Sequence, residues 1–307
     1  MQKILVIGGS GFIGANLIEY LCKLNYSVIN YGRSPSPFVH KNVLNIKGSI
    51  KDIDSLDAIF KEHDINVVVH SMTTFTPLEK INSCQDHLAL NLSAIIDLIA
   101  VMKENNVKKL IYMSSGGSVY GKSSTPLTEK DSTAPESFYG WMKESVENYL
   151  KFYSRIEPEF NHIIIRPANV YGKYQKLDKI IGVALKHAHL GQTLKIFGST
   201  KICKDYIHVS DLCEITVKLM AGDAWNAIYN AGTGVGTTLQ DIIISAEKVT
   251  GKSLNIELHE HKVGDVAYSV LDNSKVSKKI NKVGYKNILE GMAEMYDHVI
   301  QVLNHEA

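Results

Sequence analysis

Residues 3–14 read KILVIGGSGFIG, and this stretch determines the predicted fold. A short apolar run, typical of a buried strand, leads into three evenly spaced glycines, and a helical period follows. Glycines in this position permit a tight turn, which brings backbone N–H groups and a helix N-terminus close to a pyrophosphate. We therefore predict a dinucleotide-binding loop between a strand and a helix. The loop residues predicted to bind the cofactor are Gly8, Gly11, Phe12, Ile13 and Gly14.

Short runs rich in Val and Ile alternate with segments of helical period through the first half of the chain. The predicted strands are Ile4–Ile7, Val28–Tyr31, Val43–Ile46, Val67–Val69, Leu110–Met113 and Ile163–Ile165. The predicted helices are Gly11–Leu24, Ile81–Asn105 and Phe138–Arg155. This alternation indicates an α/β fold with a doubly wound parallel sheet, the Rossmann arrangement.

The alternation loosens after Arg166-Pro167, which indicates a second, smaller lobe. Its expected elements are a helix near Asp178–Leu190, a strand at Lys195–Phe197 and further units near Tyr206–Ala221 and Thr238–Thr250. We predict a dinucleotide-binding domain over residues 1–166 and a mainly substrate-binding lobe over residues 167–307. Elements near residues 206–245 are candidates to rejoin the first domain.

The composition excludes several classes of partner. Thirty-three Lys and Arg residues oppose 32 Asp and Glu residues, so the chain has no basic field for nucleic acid or an anionic membrane surface. The four cysteines lack the paired spacing of a metal site, and we expect no metal. Neither a signal peptide nor an apolar run of membrane-spanning length is evident, which favours a cytoplasmic location.

The end of the second predicted strand indicates which cofactor is bound. A carboxylate there would bind the adenosine ribose 2′-hydroxyl and repel a 2′-phosphate. The segment reads NYGRS over residues 30–34, so Arg33 and Ser34 offer donors to a phosphate instead. NADP is therefore predicted, with NAD still possible. The alternative is that Arg33 is a solvated loop residue.

Tyr139 and Lys143 are four residues apart in a predicted helix, so both side chains project from one face. A nearby ammonium and an oxidised nicotinamide both favour the phenolate of a tyrosine. Tyr139 is then able to exchange a proton with a sugar hydroxyl or carbonyl. The same spacing by itself also fits an ordinary helix surface.

Several motifs occur together along the chain: the glycine loop, Asn91 in a helix, MSSGGSVYG at residues 113–121, YGWMK at 139–143, RPANVYG at 166–172 and DYIHV at 205–209. In this combination the chain resembles the extended short-chain dehydrogenase/reductase family, in its sugar-nucleotide epimerase, dehydratase and reductase branch, which includes UDP-galactose 4-epimerase. The resemblance covers nearly the whole chain.

The resemblance implies a role for each matching residue. Tyr139 is the acid–base residue, while Lys143 holds the nicotinamide ribose and lowers the pKa of Tyr139. Asn169 faces the diphosphate of a nucleotide-diphospho-sugar, and Lys204 and Lys262 stand where relatives carry phosphate-binding arginines. Further residues on the cofactor side are Ser49, Ile50, Asn91 and Pro167. Relatives commonly form a homodimer through the helices that correspond here to residues 81–105 and 138–155.

The chain also departs from the family pattern. Gly116 stands where relatives often have the catalytic Ser or Thr, so the hydroxyl role passes to Ser115 or Ser118. We favour Ser115. Ser49 likewise replaces an aspartate. For His70 and His208 we favour structural roles, since Tyr139 and Lys143 already supply proton transfer.

Three functions remain open. The first is an NADPH-dependent reductase that delivers hydride to C4 of a nucleotide-linked 4-keto-6-deoxyhexose, with Tyr139 as proton donor. The alternative is a nucleotide-sugar 4-epimerase with a resident cofactor. A non-catalytic NADP-binding protein is the third. A dehydratase has less support, because Gly117 and Ser118 replace the Asp-Glu pair of relatives that eliminate water.

Overall fold

The computed structural model describes residues 2–74, 84–260 and 268–306. The strands in these ranges are β1 (Lys3–Ile7), β2 (Ser27–Gly32), β3 (Val43–Lys47), β4 (Val67–His70), β5 (Lys109–Met113), β6 (Asn161–Pro167), β7 (Asn169–Tyr171), β8 (Leu194–Phe197), β9 (Cys203–His208), β10 (Ala227–Ala231), β11 (Gly236–Thr238), β12 (Ile256–His259) and β13 (Tyr268–Ser269).

The helices in the same ranges are α1 (Phe12–Lys23), α2 (Ile53–Glu62), α3 (Cys84–Leu88), α4 (Ala94–Glu104), α5 (Gly116–Val119), α6 (Phe138–Ile156), α7 (Ile180–Leu190), α8 (Val209–Ala221), α9 (Leu239–Thr250), α10 (Ser274–Ile280) and α11 (Ile288–Glu306). A π-helical turn, Ala89–Ser93, joins α3 to α4. It widens the helix by one residue per turn at this point.

The main sheet has seven parallel strands in the order β10-β6-β5-β4-β1-β2-β3. Alternate residues of each strand face opposite layers. In β1, Ile4 and Val6 pack against α1 and α8, while Leu5 and Ile7 pack on the side of α2, α4 and α6. The prediction of a doubly wound parallel sheet is confirmed. Strand order reverses between β1 and β4, which is where such sheets bind ligands at their carboxyl edge.

The second lobe has its own core and short strands. β9 pairs with β7, β11 and β13, and β8 pairs with β12. Apolar residues of α7, α9 and α11 pack together beneath them. β10 follows much of this lobe in sequence, yet it pairs with β6 at the edge of the main sheet.

The sequence showed no apolar run of membrane-spanning length, but one helical stretch of the structure meets that criterion. Gln85–Glu104, which spans the π-helical turn, is long and apolar enough to cross a membrane by length and composition alone. Helices in the core of a globular protein pass the same test. Ile95, Leu98 and Met102 are fully buried here and pack against the sheet.

Candidate active site

The loop between β1 and α1 shows why glycine is needed at several positions. Gly8 has a φ of +90°, in the region that favours glycine. A Cβ on Gly8 would lie 2.8 Å from the backbone nitrogen of Met72, and one on Gly14 would overlap the Gly8 carbonyl. Gly9, which the sequence did not single out, would bring a Cβ within 2.5 Å of the Asn30 side chain. The loop therefore packs backbone against backbone beneath α1.

The first turn of α1 is suited to an anion. Gly11 occupies the N-cap without a side-chain hydrogen bond, and the first turn, Phe12 included, contains no acidic residue. The N–H groups at this helix end thus lack a carboxylate that would compete for them. The absent side chains of Gly8 and Gly14 and this uncapped helix end fit the diphosphate of a dinucleotide.

The turn after β2 leaves Arg33 and Ser34 exposed at the carboxyl edge of the sheet. Asn30 is buried in β2, and its Nδ2 donates to Asn45 Oδ1 at 2.8 Å and to the Ser34 carbonyl of the turn at 3.3 Å. A Cβ on Gly32 would meet no atom within 4 Å. Open space and two donors are therefore present where an adenosine ribose is expected.

Ser49 and Ile50 follow β3 at the same edge. The Tyr31 hydroxyl donates to the Ser49 carbonyl at 2.9 Å, which ties the ends of β2 and β3 together. Ile50 is buried and Ser49 is exposed.

Asn91 lies in the π-helical turn and is buried. Its Nδ2 donates to Thr74 Oγ1 at 2.7 Å and to the His87 carbonyl at 2.8 Å. These bonds use both amide hydrogens within the chain, so a bound cofactor would be able to contact this side chain only through its oxygen.

The carboxyl end of β5 faces the first turns of α6. Lys143 is buried, and its Nζ donates to the Met113 carbonyl at 2.8 Å. The same Nζ lies 5.8 Å from the centre of the Tyr139 ring. Ser115 shares a hydrogen bond with Tyr139 and donates to Ser118 Oγ at 3.2 Å. The structure thus brings the four predicted catalytic residues together.

The pKa of Tyr139 shifts in the direction opposite to the sequence expectation. Burial raises it to about 12, although the Ser115 hydrogen bond acts to lower it. Lys143 does not offset this rise, because burial lowers its own pKa to about 8 and its amine is already neutral at the pH where Tyr139 ionises. The positive charge of an oxidised nicotinamide is the remaining contribution that would favour the phenolate.

The space beside Gly116 is filled by a residue from far along the chain. A Cβ on Gly116 would lie 2.5 Å from Cδ1 of the buried Leu271 and 3.2 Å from the Arg166 carbonyl oxygen. A serine or threonine would not fit there without displacement of Leu271. This contact explains the departure from the family pattern and leaves Ser115 and Ser118 as the nearby hydroxyls.

Predicted substrate residues lie where β7 meets β9. Asn169 begins β7, and its Nδ2 donates to the Asp205 carbonyl at 2.9 Å. Lys204 precedes Asp205 on β9, so both predicted residues come from paired strands. Pro167 ends β6 and is buried. Lys262 lies outside the described residues.

The two histidines considered in the sequence are both buried. Burial lowers the pKa of His70 to about 3 and that of His208 to about 4, so both are neutral near pH 7. His208 Nδ1 pairs with Ser210 Oγ at 2.8 Å. Neither ring nitrogen of His70 has a hydrogen-bond partner among the described residues. A neutral ring with so low a pKa is a poor base at neutral pH.

Sequence reasoning missed two buried carboxylates near the site. Glu147 pairs with Arg166, and Asp205 accepts from the backbone of Thr233, Gly234 and Leu271. Glu147 is four residues beyond Lys143, and that spacing could have pointed to it.

The model of the NAD-dependent epimerase/dehydratase family matches residues 4–232. The chain belongs to this family. It is thus an enzyme of the epimerase and oxidoreductase type, and its resemblance to the extended short-chain dehydrogenase/reductases is confirmed.

Alignments with individual relatives span most of this chain. A dTDP-4-dehydro-6-deoxyglucose reductase of Escherichia coli is 31% identical over 255 residues, which is 80% of each chain. A UDP-glucose 4-epimerase of Mycolicibacterium smegmatis is 27% identical over 95% of this chain and 97% of its own. Among solved structures, a Thermotoga maritima UDP-glucose 4-epimerase with UDP-glucose has a TM-score of 0.91 at 28% identity, covering 98% and 100% of the two chains.

Proposed function

We propose that this enzyme is a nucleotide-sugar 4-epimerase with Tyr139 as its acid–base residue. The residues at 32–34 favour a 4-keto sugar reductase, but two of the three relatives described above are UDP-glucose 4-epimerases. The observation that carries the proposal is the placement of Tyr139 between Ser115 and the buried Lys143. One acid–base residue is sufficient to remove a proton at one carbon and to return it.

Tyr139, Ser115 and Lys143 have different roles in the proposed reaction. Tyr139 takes the proton from the C4 hydroxyl and later returns it, while the Ser115 hydroxyl orients the sugar oxygen. Lys143 supplies a positive charge beside them. A bound nicotinamide dinucleotide would accept the C4 hydride and give it back to the opposite face of the rotated keto sugar. The chain lacks the Asp-Glu pair needed for elimination, since Gly117 and Ser118 stand there.

The proposed substrate is a nucleotide-diphospho-sugar. Asn169 and Lys204 reach its diphosphate from β7 and β9, and the Thermotoga relative that shares this fold holds UDP-glucose. Lysine neutralises a diphosphate as a point charge without the bidentate fork of arginine. Contacts to the nucleotide are therefore expected to differ from those of arginine-bearing relatives.

A second candidate is the NADPH-dependent 4-keto sugar reductase. Exposed Arg33 and Ser34 beside the open space at Gly32 support it, because they suit a 2′-phosphate. The Escherichia coli reductase, at 31% identity, also supports it.

Two assays on the purified enzyme separate the candidates. The first follows UDP-glucose and its C4 epimer by chromatography without added reductant. The second follows nicotinamide absorbance with a dTDP-linked 4-keto-6-deoxyhexose and NADPH. Interconversion without net cofactor consumption supports the epimerase, and stoichiometric NADPH oxidation supports the reductase. Cofactor binding with neither reaction would contradict both and favour a non-catalytic binder.

Arg33→Ala tests the choice of cofactor. If Arg33 binds a 2′-phosphate, the variant loses roughly tenfold to 100-fold in NADP affinity and almost none in NAD affinity. Titration of both cofactors against wild type and variant measures this. If the wild type prefers NAD, or if the variant loses equal affinity for both cofactors, Arg33 does not bind a 2′-phosphate. Either result would favour the epimerase over the reductase.

We also propose a homodimer through α6 and the α3–α4 helix. Trp141, Phe152 and Ile156 on α6 and Ile96 on α4 are large apolar residues that remain exposed in one chain. Sedimentation that gives a monomer at micromolar concentration would count against it.

A further inference from the structure

Three consecutive residues at the end of β5 each bind one residue of α6. The Met113 carbonyl accepts from Lys143 Nζ at 2.8 Å, and Ser114 Oγ donates to Glu147 Oε1 at 2.5 Å. Ser115 shares the hydrogen bond with Tyr139. The partners on α6 are four residues apart, so they form one stripe along the helix. Glu147 is the member of this stripe with no assigned role.

Glu147 is also anchored from β6. It is fully buried, and its two oxygens accept from Arg166 Nε at 3.0 and 3.2 Å and from Nη2 at 2.5 Å. Arg166 in turn lies 4.6 Å above the Tyr120 ring. Buried ion pairs contribute little net stability compared with packed apolar residues, so stability is a weak reason for this one.

We propose that Glu147 is a positioning residue that fixes α6 against β5 and β6 and keeps the neighbouring Lys143 in its ammonium form. The inference rests on the acid–base role proposed above for Tyr139 with Lys143. Glu147 itself does not touch the reacting atoms.

The charges around Lys143 support this role. Burial lowers the pKa of Lys143 to about 8, and the Glu147 carboxylate opposes that fall. The other groups that face the ammonium are the rings of Tyr112 on β5, at 4.9 Å, and Tyr139 on α6, and neutral His70 on β4. Glu147 is therefore the charge that keeps Lys143 protonated at neutral pH, and without it the amine loses its proton at lower pH.

Two variants test the proposal. Glu147→Gln keeps the shape and an acceptor for Ser114 but leaves the Arg166 charge unpaired, which is itself destabilising. The double variant Glu147→Gln with Arg166→Met removes both charges and keeps the interior neutral. We expect the pKa of Lys143 to fall by about one unit in Glu147→Gln, and by less in the double variant, because that variant also removes the repelling charge of Arg166. Competitive acetylation of Lys143 with acetic anhydride across pH, read by mass spectrometry, measures this without substrate.

The pH profile of turnover gives the second measurement. Activity that needs the Lys143 ammonium is lost as pH rises through its pKa, so the alkaline limb should move down by about one unit. With little change in KM, we expect kcat of Glu147→Gln to fall only about twofold at pH 7 and to approach a tenfold loss above about pH 9. Lys282→Met, which breaks a buried ion pair with Asp211 far from α6, should lose stability and keep the wild-type profile.

A folded Glu147→Gln variant with the wild-type Lys143 titration would overturn the proposal. If the wild type converts no nucleotide sugar, the proposed function fails, yet the acetylation result still decides the role of Glu147.

Discussion

At the residue scale, the phenol of Tyr139 is the group on which the proposed chemistry depends. Tyr139→Phe removes the ionisable oxygen and keeps the ring, so we expect unchanged folding and cofactor affinity. Turnover should fall by at least about 100-fold, the usual contribution of an acid–base residue. Steady-state kinetics with a thermal unfolding control measures both effects, and turnover close to wild type would exclude Tyr139 as the acid–base residue.

The two serines of the β5–α5 segment differ in their contact with that phenol. Ser115 is hydrogen-bonded to Tyr139, whereas Ser118 accepts from Ser115. We expect Ser115→Ala to cost roughly 100-fold in kcat and Ser118→Ala less than about tenfold. The matched pair serves as its own control. The reverse ranking would assign the hydroxyl role to Ser118.

Sequence alone was enough to predict Tyr139, Lys143 and the serines as site residues, because their spacing and motifs are local. It also identified the missing hydroxyl at Gly116. It could not give the reason, since the buried Leu271 that fills this space comes from far along the chain. The raised pKa of Tyr139 was missed for a similar cause: burial depends on tertiary packing, whereas the sequence shows only the nearby lysine.

At the element scale, the contact between α5 and α6 depends on Gly140. A Cβ there would overlap the Ser118 carbonyl oxygen and lie 2.9 Å from Pro135 Cβ. We expect Gly140→Ala to lower the free energy of unfolding by about 1–3 kcal/mol. Denaturant titration measures the change. Gly117→Ala is the control, because a Cβ on Gly117 would meet no atom within 4 Å. Equal free energies of unfolding for the two variants would show that the backbone around Ser118 and Pro135 accommodates the added methyl group without destabilising the protein.

Long, strongly periodic elements were predicted closely, and short or irregular ones were not. α6 was expected over Phe138–Arg155 and covers Phe138–Ile156. The π-helical turn was missed, because one extra residue per turn hardly changes an apolar period. Strands of two or three residues, such as β11 and β13, carry no period at all.

At the scale of the whole molecule, three buried histidines make stability depend on pH. Burial lowers the pKa of His70 to about 3 and those of His162 and His208 to about 4. Below pH 6.5 the unfolded chain therefore binds protons that the folded chain does not, and stability falls as pH decreases toward 4. Three such groups lower the free energy of unfolding by up to roughly 4 kcal/mol per pH unit.

Denaturant titrations between pH 6.5 and 5 measure this slope. His162→Gln should reduce it by about a third, and the same change at exposed His305 should leave it unaltered. A slope that His162→Gln does not change would mean that this ring is protonated in the folded state.

The overall architecture was predictable because alternating strands and helices allow few arrangements. The course of the chain after residue 166 could not be predicted, because strands that pair over long distances leave no pattern in the local sequence. β10 and the separate sheet around β9 are the elements concerned.

The pairing of β10 with β6 has a consequence for how the protein is made. The last strand of the nucleotide-binding sheet is synthesised only after the first part of the second lobe, which comprises β7, α7, β8, β9 and α8. Until then β6 is an open edge with unpaired backbone groups, which favours pairing with other chains. A fragment that stops at residue 166 would keep that edge permanently and is expected to aggregate. The sheet of the first lobe is therefore complete only when β10 has been synthesised. We expect chaperones to matter most while residues 167–231 are being synthesised.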